Sequence, residues 1–110
     1  MYIYNETINI EESVHDQWLI WMKQEYIPAM LATGKFLKAL MTRVIVEQEV
    51  EGITYSVQYT TDSRETLQKY YRENSEKIRS QNNPFQGKFV AFRTELEVIG
   101  EAHNEHFEKS

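Results

Sequence analysis

An α+β fold built on one four-stranded antiparallel sheet is predicted by three features of the chain. Four stretches alternate with a period of two, two stretches between them repeat with a helical period, and acidic or small polar residues stand just ahead of each helical stretch. The order reads strand, helix, strand, strand, helix, strand, over a length of 110 residues that suits one domain with a real core.

The first strand covers Tyr2 to Ile10, with Tyr2, Tyr4, Ile8 and Ile10 on one side and Ile3, Asn5, Thr7 and Asn9 on the other. Ser13 with Asp16 three residues later resembles a capping box, opening a helix near residue 13 whose apolar arc is Val14, Trp18, Trp21, Met22 and Tyr26. Pro28 disfavours helical geometry at Ile27, so this helix kinks or restarts there and stops at Gly34. A second strand runs from about Phe36 to Glu47 or beyond. Leu37, Ala39 and Met41 ask for one parity and Val44 and Val46 for the other, which a bulge near Thr42 or Arg43 would reconcile.

Glu51-Gly52 reads as a hairpin turn into the third strand, where Ile53, Tyr55, Val57 and Tyr59 alternate with Thr54, Ser56, Gln58 and Thr60. Tyr55 and Tyr59 are expected in the core, with their hydroxyls bonded at its rim. Asp62 followed by Glu65 is a second cap signal, after which Leu67, Tyr70, Tyr71 and Ile78 continue a helix to Gln81-Asn82-Asn83-Pro84. A fourth strand covers Lys88 to Ile99, with Val90, Phe92, Leu96 and Val98 assigned to the core parity. Residues 1–99 thus form one domain, and 100–110 are expected to be a polar, disordered tail. This element order is the split βαβ arrangement named ferredoxin-like, which places both helices on one face of the sheet and leaves the other bare.

Composition narrows the function. Twelve Lys plus Arg against 17 Asp plus Glu give a net charge of -5, which repels phosphate backbones and argues against nucleic-acid binding. There is no Cys, hence no disulfide or thiolate chemistry. No apolar run approaches the ~20 residues of a membrane span, and the start lacks a basic stretch ahead of an apolar core, so a cytoplasmic protein without membrane contact is expected.

The bare face is expected to carry Asn5, Thr7, Asn9, Thr54, Ser56, Gln58, Thr60, Arg93, Glu95 and Glu97, with Ile3, Phe89 and Ala91. Its β-branched, uncharged character in the first and third strands, and a supply of 7 Tyr, 5 Phe and 2 Trp, exceed what a solvated face and a two-helix core require. A second copy of the sheet is the simplest cover, making a homodimer that encloses a lumen.

Candidate ligand or dimer-interface residues are Asn5, Thr7, Glu25, Arg43, Ser56, Gln58, Arg93 and Glu95. Arg93 and Glu95 are neighbours that could hold a small anion, although a structural ion pair is the commoner use. Arg43 sits at the expected bulge, where a side chain can be re-aimed or close an interface. Glu25 falls inside the apolar arc of the first helix, where dehydration would raise its pKa, unless it escapes to solvent before Pro28. His15, His103 and His106 form no metal constellation, and His103 and His106, in the polar tail, read as solvent-exposed. There is no glycine-rich phosphate loop, nucleophile elbow or metalloprotease motif, so no cofactor and no metal are expected. Phe89-Val90-Ala91-Phe92 matches part of an RNA-recognition octamer, but on the fourth strand, without its basic-glycine start, and in an acidic chain.

Met1-Tyr2-Ile3-Tyr4-Asn5, Thr54-Tyr55-Ser56-Val57-Gln58-Tyr59, Thr66-Leu67-Gln68-Lys69-Tyr70-Tyr71 and Phe89 to Leu96 resemble a small bacterial family, domain of unknown function 4286, over residues 1 to 99. The resemblance implies a dimeric α+β barrel type of fold and brings no catalytic residues with it. Glu6 stands where an apolar residue would be expected on the core parity. The expected function is a non-catalytic homodimer that binds a small molecule or a protein through its sheet face or lumen. The alternative is a cofactor-independent oxygenase or isomerase acting on a small aromatic substrate, an expectation from fold analogy.

Overall fold

The computed structural model describes residues 1–47, 50–80 and 83–108. Strand β1 (Tyr2–Ile10) lies between β3 (Ile53–Thr61) and β4 (Phe89–Glu97), and β2 (Lys38–Arg43) flanks β3. The sheet order is β2-β3-β1-β4, every neighbour is antiparallel, and the sheet is open rather than closed on itself.

The first helical segment is composite. Ser13 lies inside a 3₁₀ turn (Glu12–Val14) with its hydroxyl 3.4 Å from the Glu11 carboxylate, so the expected capping box with Asp16 does not form. Helix α1 (His15–Trp21) passes into a π-helical turn (Met22–Tyr26) and then helix α2 (Ile27–Ala32). Pro28, which cannot donate to the carbonyl of Gln24, stands in the first turn of α2, and the wider π turn accommodates it without a break. Gly34 takes φ +77° after the last turn, a conformation that favours glycine.

Strand β2 is shorter than expected. Its register with β3 runs unbroken from Lys38↔Thr60 to Arg43↔Tyr55, leaving no bulge. The parity conflict disappears because Val44 and Val46 lie beyond the strand, exposed in the connection to β3. Gly52 enters β3 at φ +79°, and a Cβ there would overlap the Asn9 side-chain oxygen and approach the Ile10 carbonyl to 2.8 Å.

The cap of the next helix is Ser63 rather than Asp62, its hydroxyl accepting the Thr66 backbone N–H at 3.1 Å. The helical stretch divides at Asn74 (φ -127°) into α3 (Arg64–Glu73) and α4 (Ser75–Ser80). Gln81 and Asn82, expected at its end, lie outside the described residues.

All helices pack on one sheet face, where Trp18, Met22, Met30, Leu67 and Tyr70 bury themselves against Tyr4, Ile8, Ile10, Tyr55, Val57 and Tyr59. Each such large apolar side chain contributes roughly 1.5–3 kcal/mol of transfer free energy. The largest correction concerns β4. Pairing of Ile10 with Phe89, Ile8 with Ala91 and Glu6 with Arg93 puts Phe89, Ala91, Arg93 and Glu95 on the helix side. Val90, Phe92 and Leu96, expected in the core, point to the bare face and are exposed. Both parities of this strand carry apolar residues, so alternation alone could not choose between them. After Glu97 the Val98 N–H donates to the Met1 carbonyl at 2.9 Å and the Phe107 N–H to the Asn104 carbonyl at 3.4 Å, while residues 99–108 are exposed.

Candidate functional site

A cavity of about 310 Å³ opens between the helices and the sheet. Its floor is β1 and β4, which present Glu6, Phe89, Ala91 and Arg93, and its walls are Trp18, Trp21 and Tyr26. The π turn brings Trp21 and Tyr26 together at 5.3 Å between ring centroids, and Phe85 meets Trp21 edge-on at 5.7 Å. Arg79 of α4 lines the same space.

Glu6 is the unusual group. It lies on the core parity of the central strand and is 2% exposed. The Arg93 Nε–H donates to its carboxylate at 3.1 Å, and the Tyr26 hydroxyl donates to the same carboxylate at 3.1 and 3.3 Å. Burial pushes the Glu6 carboxyl above its usual range, although Arg93 and Tyr26 pull the other way. For Arg93, partial burial works against the charge, yet the neighbouring Glu6 carboxylate leaves its pKa raised. Burial, and then the charge of Glu6, also raise the phenols of Tyr4, Tyr26 and Tyr59, which therefore stay neutral donors. The Tyr59 hydroxyl is expected at the core rim with a partner; it is instead buried with none among the described residues.

The bare face carries a different polar array. The Asn5 amide donates to Thr7 at 3.1 Å and to Thr94 at 3.2 Å, and its carbonyl accepts from the Ser56 hydroxyl at 2.7 Å. Asn9 donates to Thr54 at 3.0 Å. Of the residues singled out from sequence, Asn5, Thr7 and Ser56 share this network, with Gln58 opposite Asn5 in the register. Arg93 and Glu95 are on the other face because β4 is turned over, and Arg93 reaches the cavity while Glu95 lies opposite Tyr4. Arg43 is exposed at the end of the edge strand, and Glu25 is exposed on the π turn.

The His15 side chain is 15% exposed and its ring lies 2.6 Å from the Tyr55 hydroxyl, while His103 is exposed. No group of three or more His, Cys, Asp or Glu suited to a metal occurs among the described residues. Glu6, Trp18, Trp21, Tyr26, Phe89 and Arg79 form the cavity without having been singled out as site residues. The available signal was Glu6 itself, a carboxylate between Tyr4 and Ile8 on a core parity.

No curated protein matches the chain in sequence. Its backbone is similar to that of a dimeric ferredoxin-like protein from an uncultured marine organism, at 11% identity and TM-score 0.72 over 92% of this chain and 97% of that one. It is also similar to the heme-degrader MhuD of Mycobacterium tuberculosis, solved with two hemes bound in its active site, at 14% identity and TM-score 0.69 over 94% and 100% of the chains. HapK from Hahella chejuensis matches at 9% identity and TM-score 0.67, over 94% and 98%. At these identities the shared property is the ferredoxin-like fold. The family model described as Domain of unknown function (DUF4286) matches residues 1–99, which hold all four strands and both helical segments, and the chain belongs to that family.

Proposed function

We propose that this protein is a homodimer that binds a small aromatic molecule in the cavity between helices and sheet. The observation that carries the reading is the convergence of Trp18, Trp21, Tyr26 and Phe89 with Glu6 and Arg93 on a space of about 310 Å³. That volume lies at the small end of ligand pockets, which run about 300–1,000 Å³ and combine apolar walls with a few polar groups. The hemes in the active site of MhuD support small-molecule binding by this fold. The site differs from the expected lumen because β4 turns Arg93 inward.

The homodimer rests on the open face. Leu40 on one edge strand and Val90 and Phe92 on the other flank the Asn5 network, exposing apolar side chains that a second sheet would cover. The dimeric ferredoxin-like neighbour supports this assembly. Residues 1–99 act as the unit, with the polar tail outside it.

A second reading is cofactor-independent chemistry on the bound molecule, favoured by the dehydrated Glu6 carboxylate, whose pKa is displaced toward the range useful to a general acid or base. Light scattering and native mass spectrometry test the main proposal. A dimer that retains or takes up an aromatic compound, one per protomer, is expected, and Ala91→Phe should fill the cavity and abolish uptake while leaving the dimer intact. A monomer, or uptake unaffected by Ala91→Phe, overturns it.

A further inference from the structure

The charged groups of the cavity set the class of its ligand. Three charged residues line it: Glu6, Arg79 and Arg93. With Glu6 ionised, one carboxylate stands against two guanidiniums and the space keeps one positive charge; with Glu6 protonated it keeps two. This excess sits in a chain whose net charge is -5, so it is a local property rather than a sample of the surface.

The donors are also only partly committed. Glu6 takes the Nε–H of Arg93 and the Tyr26 hydroxyl also stands against that guanidinium, so most of the four N–H groups at its end remain open to a ligand. The Arg93 side chain is 34% exposed, so the fork is reachable from the cavity. Arg79 forms no ion pair among the described residues. It reaches the Tyr4 hydroxyl, and its charge acts on both Glu6 and Tyr4. Glu6 thereby holds the guanidinium of Arg93 in one orientation and leaves its outer edge free, which is the geometry that receives a carboxylate in two parallel bonds.

We propose that the cavity ligand is an aromatic monocarboxylate, its ring against the wall that Trp21 and Tyr26 form together and its carboxylate between Arg93 and Arg79. This rests on the small-molecule reading above. Glu6 is a positioning residue for Arg93, and Arg79 supplies the uncompensated charge.

Calorimetry with 1-naphthoate and with its neutral amide, 1-naphthamide, tests the proposal on the full chain. Wild type is expected to bind the carboxylate at least about tenfold more tightly than the amide, with the difference shrinking as salt is raised. Arg79→Gln, at an exposed helix position, should weaken naphthoate about tenfold and naphthamide far less. Arg93→Lys keeps the charge beside Glu6 but removes the fork, and should weaken naphthoate selectively as well. Equal binding of the two compounds, or equal loss of both in Arg79→Gln, overturns the anion proposal and leaves the aromatic cavity standing. Binding of neither overturns the cavity reading and this inference together.

Discussion

On the helix-covered side of the sheet one carboxylate is buried among rings, whereas the open side carries a row of neutral amides and hydroxyls. The open row is closed upon itself. Asn5 spends both amide hydrogens on Thr7 and Thr94 and its carbonyl on Ser56, so this array has little left to offer a ligand. Under the helices the accounts do not close: among the described residues the Tyr59 hydroxyl has no hydrogen-bond partner, and Arg93 keeps N–H groups that neither Glu6 nor Tyr26 takes up. Polar residues on a surface are therefore a poorer guide to a binding site than polar residues whose bonding capacity remains unspent after folding.

The contrast can be broken most severely at Arg93. Arg93→Ala leaves Glu6 buried with Tyr26 as its remaining hydrogen-bond partner, and a loss of about 3 kcal/mol is expected at neutral pH, near the lower end for breaking a buried pair because Arg93 itself reaches water. Urea denaturation measures it, and the loss should shrink in acid as Glu6 takes up a proton.

Glu6→Gln sharpens the same point through pH. Because burial raises the Glu6 pKa in the folded protein, the folded state binds more protons than the unfolded one between the ordinary carboxyl value and the raised one. Wild-type stability should therefore fall, relative to Glu6→Gln, as pH rises through that window, by about 1.4 kcal/mol for each unit of displacement. A difference between the two proteins that is flat with pH would mean that Glu6 is not dehydrated.

The smallest effect on the protomer is expected on the open face. Val90→Asp should change protomer stability by within about 0.5 kcal/mol, since Val90 is 72% exposed. It should nevertheless convert the dimer to a monomer by light scattering, because a carboxylate would then face the second sheet. A persistent dimer would show that subunits meet elsewhere.

Much of the architecture was legible in the chain. The strands β1 and β3 alternate cleanly, and Pro28 and Gly34 mark where the first helical segment changes and ends. The parity of β4 was not legible, because a face awaiting a second subunit carries Val90 and Phe92 just as a core would, while Arg93 is drawn inward by Glu6. The same inversion hid the site: Asn5, Thr7 and Ser56 stand out as polar residues in strands, whereas the walls Trp18, Trp21 and Tyr26 look like ordinary core on a helical wheel. Glu6 was visible as an anomaly, but its partners are 20 and 87 residues away and only the folded register brings them to it.

The π turn between Met22 and Tyr26 works as a timing correction. Twelve residues separate Trp18 from Met30, and at about 100° per residue an uninterrupted α-helix would set them about 120° out of step around its axis. Slower winding through the π turn takes up that excess rotation, so both side chains face the sheet and both are buried. The cavity wall and the anchor that holds α2 are thus kept in phase by five residues, which ties the spacing of this segment to the shape of the site.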